Sequence, residues 1–260
     1  MKKNASKPRF LCNFAVMLTK TEAIVLHSFK YGEQKIIVDM FTRLYGRMAF
    51  VAAIPKNAKG RLKKQYFQPL TLLDITCEIR PHVQLQKLSE ASLHAPLLSL
   101  LSEPAKLAIG LFIAEFLYHA LKNEQQNEPL FDYILSALSW LDGKEDHYAN
   151  FHLVFLMHLS RFLGFRPYLD GYHEGDFFDL LAGTFSATPP QHRNYLIPQE
   201  AAIMRLMMRM DLTNMHLFRM NHQQRNRCVE VAMQYYHLHL PDFPELHSLE
   251  VLRELWTLPM

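Results

Sequence analysis

The chain has 260 residues, 49% of them hydrophobic and 20% charged, and a formal net charge of +3. Those numbers exclude collagen-like, low-complexity and generally disordered chains, and they leave room for one large domain or two smaller ones. The charge is unevenly placed: residues 1–90 hold 16 Lys+Arg against 6 Asp+Glu, a net of +10, while residues 91–260 hold 12 against 19, a net of −7. An asymmetry of this size predicts two units with different partners, the first suited to a polyanion.

Residues 1–16 read as a basic, flexible extension, and Met17 is itself a candidate initiator. Pro8, Arg9 and Asn13 interrupt any signal-peptide core there. From Met17 to about residue 92 the apolar runs are short and β-branched, which predicts strands at Glu22–His27, Lys35–Thr42, Arg47–Ile54, Gln68–Arg80 and Val83–Ser92. Turn signals at Tyr31-Gly32, Tyr45-Gly46 and Arg80-Pro81 separate them, together with a polar stretch from Lys56 to Gln65. Five strands in so few residues suit an OB-type β-barrel over residues 17–95, with Phe41 and Phe50 expected in its core.

After Ala95-Pro96 the hydrophobic period changes from two to 3.6, and residues 96–260 read as an all-α domain. Ser102 is the expected cap of a first helix that carries Pro104 in its first turn and ends near Lys122. Its apolar core, Leu107–Leu121, carries Glu115 and His119 and is too short to span a bilayer. A second helix is expected from Asn127 to Asp142-Gly143, and a third carries Tyr148, Phe151, Phe155, Leu159 and Phe162 before Gly164. Pro198 opens a fourth, Asn221 caps a fifth and Ser248 a short last one. Residues 165–197 lack helical periodicity and read as an irregular insertion. The predicted class is therefore α+β: an N-terminal five-stranded OB-type barrel, then a helical domain with an inserted loop.

The strongest chemical signal is the run PKNAKGRLKKQY, in which Lys56, Lys59, Arg61, Lys63 and Lys64 crowd together, with Lys30, Lys35, Arg43 and Arg47 nearby on the chain. Such cations neutralise phosphates and release counterions without reading sequence. Rings are interleaved with them, and Tyr31, Tyr45 and Tyr66 lie near turns where bases can stack. A basic, sequence-tolerant nucleic-acid site is one reading; a scaffold whose basic barrel face docks an acidic partner protein is the other.

Metal and hydrolytic chemistry find no support. Asp170, His173, Glu174, Asp176, Asp179 and His192 are scattered along the insertion and read as solvated, with no tight Cys or His pair. His152 and His158 sit on a core-facing helix and are expected to be buried and hydrogen-bonded. Cys12, Cys77 and Cys228 are too few and too far apart for a disulfide framework, which suits a reducing cytoplasm. No Gly-x-Ser-x-Gly, glycine-rich phosphate loop or His-Glu-x-x-His motif occurs, so the chain reads as a non-enzyme that needs no cofactor.

The opening TKTEAIVLHSFKYGEQKIIVDMFTRLYGR resembles the start of the RecO family, with Ile24–Leu26, Tyr31, Glu33, Phe41, Thr42 and Gly46 in matching order, and YYHLHLPDFPELHSLEVLREL resembles its end. The resemblance implies a non-enzymatic recombination mediator of DNA repair in the bacterial cytoplasm, associated with the nucleoid during repair. Such a protein binds single- and double-stranded DNA and anneals complementary strands. With RecR it helps RecA load onto strands coated by single-stranded-DNA-binding protein, whose acidic C-terminal tail it can contact. The five arginines Arg205, Arg209, Arg219, Arg225 and Arg227 cross the net acidic helical domain, which would supply the protein-docking surfaces. Many family members carry a four-cysteine zinc site after a Leu-Gly-Phe-x-Pro stretch. Here LGFRPYLDGYHEGDFF stands in that place without the cysteines, and Phe177, Phe178, Leu180, Leu181 and Phe185 are expected to pack as an apolar substitute.

Overall fold

A computed structural model of the chain describes residues 17–54 and 62–255. The expected extension 1–16 lies outside them, as do Lys56, Lys59 and Arg61. Five strands, β1 (Met17–Lys30), β2 (Lys35–Thr42), β3 (Gly46–Ala53), β4 (Leu72–Ile79) and β5 (Leu85–Ala95), close into a barrel in the order β1-β2-β3-β5-β4. Closure depends on the length of β1. Its first half pairs with β4 from Met17 to Ile24, and its second half pairs with β2 from Ala23 to Lys30. The strand expected from Gln68 begins only at Leu72, because Leu70 takes a left-handed φ of 63° and donates its N–H to the Val25 carbonyl at 2.7 Å.

Two apolar clusters follow from the pleat. Val25, Val38, Met40, Phe50, Ile75, Cys77 and Leu88 fill the barrel, whereas Ile24, Leu26, Phe41 and Leu72 point outward into the helical core. Phe41, expected in the barrel core, is on the opposite face of β2 from Val38 and Met40 and points out of the barrel; it meets Phe131 with centroids 6.0 Å apart. The barrel is buried on both faces where helices cover it, so strict two-residue alternation fails there.

The second half packs as α1 (Leu98–Ser102), α2 (Pro104–Ala120), α3 (Glu128–Gly143), α4 (Phe151–Phe162), α5 (Pro198–Arg209), α6 (His222–His239) and α7 (Ser248–Leu255). Ser102 does not cap the first long helix. It ends the short α1, and α2 starts at Pro104 without a side-chain cap. Asn127 and Asn221 do cap α3 and α6, the latter in a reciprocal capping box with Gln224. Lys106 is buried between α1, α2 and α3, donating to Ser99 Oγ at 2.7 Å and to the Asp142 carbonyl at 3.1 Å.

The insertion is not irregular. It forms a three-stranded sheet, β6 (Phe177–Asp179), β7 (Thr184–Ser186) and β8 (Tyr195–Leu196), in the order β7-β6-β8. Phe178 and Leu180 are fully buried, and Phe178 meets Phe185 edge-on at 4.9 Å and Tyr235 of α6 at 6.2 Å. Phe165 stacks on His239 at 5.0 Å and accepts the Tyr235 hydroxyl at 2.7 Å. The expected apolar plug therefore rests on Phe178, Leu180 and Phe185, while Leu181 is exposed and Phe177 half-buried. Asp179 and Asp176 cap local turns: Asp179 accepts the Leu181 and Ala182 N–H groups, and Asp176 accepts that of His173.

The two helix histidines each meet half of the expectation: His152 is buried, and His158 is hydrogen-bonded to the Met210 backbone. His158 is exposed, and His152 is wholly buried with neither ring nitrogen hydrogen-bonded among the described residues. Burial, with the nearby Arg225 charge, pushes the His152 pKa down to about 3. A depressed histidine is neutral in the fold but protonates in the unfolded chain, so its contribution is intact above the ordinary value of 6.5 and is lost as pH falls below it. Between about pH 7 and pH 5.5 the wild-type chain should lose about 1.3 kcal/mol more stability than His152→Leu, measured by urea unfolding. Parallel pH profiles for the two proteins would contradict this assignment.

Candidate nucleic-acid interface

The predicted site residues separate to opposite ends of the barrel. β2 is antiparallel to both β1 and β3, so the hairpin Lys30–Lys35 and the end of β3 lie together, a strand length from Arg43, Tyr45 and Arg47. Eight residues of strand place those ends about 25 Å apart.

At the first end, Lys30, Lys35 and Lys64 line one open groove of about 520 Å³ with Phe29, Gln34, Ile54 and Phe67. The hairpin holds its shape through Gly32, whose φ of 73° favours glycine, and through the Tyr31 N–H donating to the Lys35 carbonyl at 2.8 Å. Ser28 Oγ donates to the Phe67 carbonyl at 2.6 Å and fixes the 3₁₀ turn Lys64–Phe67 against β1. None of Lys30, Lys35, Lys63 and Lys64 has a carboxylate partner among the described residues, and Lys63 instead lies 5.6 Å from the Tyr66 ring. Glu33 is the acidic residue in the groove wall. Phe29 and Tyr31 are 45% and 54% exposed, so two rings open to solvent beside the lysines, Phe29 with its centroid 6.0 Å from that of His27. The described residues break off after Ile54, in the groove wall, and resume at Leu62, so Lys56, Lys59 and Arg61 lie outside them.

At the other end the cations are engaged by the helices. Arg43 donates to Glu22 Oε2 from Nε at 2.9 Å and from Nη2 at 2.8 Å, and to Asp132 at 2.7 Å and Glu128 at 3.3 Å, with its guanidinium 4.6 Å over Phe131. Burial opposes the Arg43 charge, but the bonds to Glu22 and Asp132 outweigh it and hold its pKa above the ordinary arginine value. Arg47 pairs with Asp39 at 3.1 Å, donates to the Tyr118 carbonyl at 2.9 Å and covers the Tyr118 ring at 4.7 Å. Tyr45 is half-buried and donates to Thr19 Oγ1 at 3.2 Å. These three residues bind the barrel to the helical domain and its own strands, and they do not reach the lysine groove.

A larger groove of about 640 Å³ runs beside Lys20, Glu22, Asp74 and Glu90. Its carboxylates repel phosphate. Glu22, Asp74 and His94 converge there with metal-like spacing, but Glu22 is bound by Arg43, and His94 sits on Asp74 at 3.1 Å.

The groove's chemistry is visible in the sequence as a basic run, but Phe29 is not among the rings that the turn signals single out. Its signal is positional: it adjoins Lys30 at the end of β1, where the barrel has no helix against it. Arg43 and Arg47 are indistinguishable from groove cations in sequence, because the helical-domain partners that engage them, Asp132 and Glu128 for Arg43 and Tyr118 for Arg47, are more than 70 residues away.

Residues 17–97 match the family profile "Recombination protein O N terminal", and residues 101–250 match "Recombination protein O C terminal". The chain is 48% identical to the DNA repair protein RecO of Bacteroides fragilis, with 92% of this chain and 100% of the relative covered. It is 45% identical to that of Phocaeicola vulgatus (93% and 100% covered) and 35% identical to that of Christiangramia forsetii (92% and 100%). With a closed five-stranded barrel, a helical second domain and full-length relatives, the chain belongs to the RecO family of non-enzymatic recombination mediators in DNA repair.

Proposed function

We propose that the groove at the Lys30–Lys35 end of the barrel holds the backbone of a single DNA strand. Lys30, Lys35, Lys63 and Lys64 contact phosphates, joined by Lys56, Lys59 and Arg61, while Phe29, Tyr31 and Tyr66 offer faces for bases. The observation that carries this reading is the convergence of Lys30, Lys35 and Lys64, without carboxylate partners among the described residues, and the exposed Phe29 on one open groove in a RecO-family chain, with Tyr31 exposed in the adjoining hairpin. Phosphate neutralisation lowers the repulsion between two strands, and stacked rings hold bases apart from one another, which together favour annealing of complementary strands. In this reading the chain works as the family's mediators do, on single- and double-stranded DNA, with RecR, on strands coated by single-stranded-DNA-binding protein and ahead of RecA. The helical domain supplies the protein-docking surfaces, including that for the coating protein's acidic tail.

The test is fluorescence anisotropy with labelled oligonucleotides of unrelated sequence across a salt series. Affinity should be nearly independent of sequence, and log K against log salt should slope between about −3 and −5, for four to seven phosphates on a single strand. No binding at low salt sinks the reading, and binding instead to an acidic polypeptide would favour a protein-docking face.

A further inference from the structure

The helical domain carries a net negative charge, yet one of its faces is cationic. At the end of α4, Arg161 and Arg166 line a shallow cleft with Met157, His158 and Met208. Met208 belongs to α5, where Arg205 precedes it by one turn and Arg209 follows it, placing both arginines on the same side of that helix. Arg205 lies 4.5 Å over the Tyr172 ring. All four arginines are exposed, and none has a carboxylate partner among the described residues. This is unlike Arg227 and Arg253, which share Glu230, and unlike Arg225, which is buried against Asn150. Asp211, the acidic group that acts on His158, is bound up in capping the Thr213 and Asn214 N–H groups.

We infer that this α4–α5 face is a second phosphate-binding site, which holds the complementary strand while the barrel groove holds the first. The inference rests on the reading of the groove given above. Pairing two polyanions requires charge neutralisation on both, and the groove lysines lie on the barrel, in a separate part of the molecule. Arginine fits phosphate oxygens with two parallel N–H donors. The cleft measures about 60 Å³ against about 520 Å³ for the barrel groove, so it offers surface contacts to a backbone rather than a pocket for an inserted side chain. Tyr168, two residues after Arg166 on the chain, is 63% exposed.

The experiment uses the full chain, with Arg161, Arg166, Arg205 and Arg209 all changed to Ala, beside the same four changed to Lys. Strands of about 12 nucleotides are short enough to occupy one site each. The wild type should capture a second labelled strand after the first is saturated, and the alanine variant should not. Annealing of complementary strands should slow by about 10-fold or more in the alanine variant and recover largely in the lysine variant, with first-strand affinity held within about twofold. Wild-type annealing by the alanine variant overturns the inference. So does loss of binding only to an acidic peptide ending in a free carboxylate, which would make the face a protein-docking site. If the wild type binds no DNA, the groove reading itself fails. If it binds through Lys30, Lys35 and Lys64 and the arginines have no effect, only this inference fails.

Discussion

Changing Lys30, Lys35 and Lys64 together to alanine should weaken single-strand binding about 100-fold at about 0.1 M monovalent salt, because each lost phosphate contact removes about 0.7 from the slope of log K against log salt. The slope itself should flatten by about 2, and the affinities of variant and wild type should converge as salt approaches about 1 M. The loss should be the same for unrelated sequences, since backbone contacts carry no base information. All three side chains are exposed and lack carboxylate partners among the described residues, so unfolding midpoints should scarcely move. Arg43→Ala makes the informative contrast. It should lower stability, by leaving Glu22, Asp132 and Glu128 without their shared cation, and leave the salt slope nearly unchanged. A reversed pattern, with Arg43 setting the slope and the lysines silent, would move the strand to the other end of the barrel.

Gly46→Ala should be the most damaging single substitution for the fold. Gly46 opens β3 at a φ of 68°, and a Cβ placed there would lie 2.3 Å from the Gln125 carbonyl carbon and 2.6 Å from the Glu124 oxygen. Both are backbone atoms, so no side-chain rotation relieves the clash. The α2–α3 connection would have to retreat, breaking the bond in which the Arg47 N–H donates to the Glu124 carbonyl at 2.9 Å. The expected loss is above about 3 kcal/mol, or roughly 10 °C in midpoint by calorimetry. Gly32→Ala is the control. Its φ of 73° is equally left-handed but nothing lies within 4 Å, so only the backbone term of about 1 kcal/mol applies. Equal effects at the two positions would show that conformation alone, and not the approach of the helical domain, determines the cost.

The contrast also explains what could be read from the sequence. β2 was legible to the residue, because Lys35–Thr42 is a self-contained β-branched run bounded by turns. The Asn221 cap and the start of α3 at Asn127 were legible for the same reason, since capping is a local hydrogen bond. What the sequence hid was non-local. Phe41 reads as barrel core because it is large and apolar, and the helices that bury it on the outer face of β2 come from the second domain. Arg43 and Arg47 read as free cations until Asp132 and Tyr118 arrive from the second domain. The three short strands of the insertion carry no period long enough to detect, and their order β7-β6-β8 depends on a partner strand more than ten residues downstream.

The aromatic plug of the insertion has a consequence for how the molecule endures its surroundings. A tetrathiolate site completes its fold only when metal is delivered, and oxidants that convert thiolates to disulfides release it. Residues 165–197 contain no cysteine, and their core is hydrocarbon from Phe178, Leu180 and Phe185 against Tyr235. The two cysteines among the described residues, Cys77 and Cys228, are buried and their pKa values are pushed up to about 11, chiefly by that burial, so neither is an appreciable thiolate near neutral pH. The insertion thereby offers oxidants no thiolate cluster to convert, and its packing is set by ring and aliphatic contacts rather than by thiolate ligands.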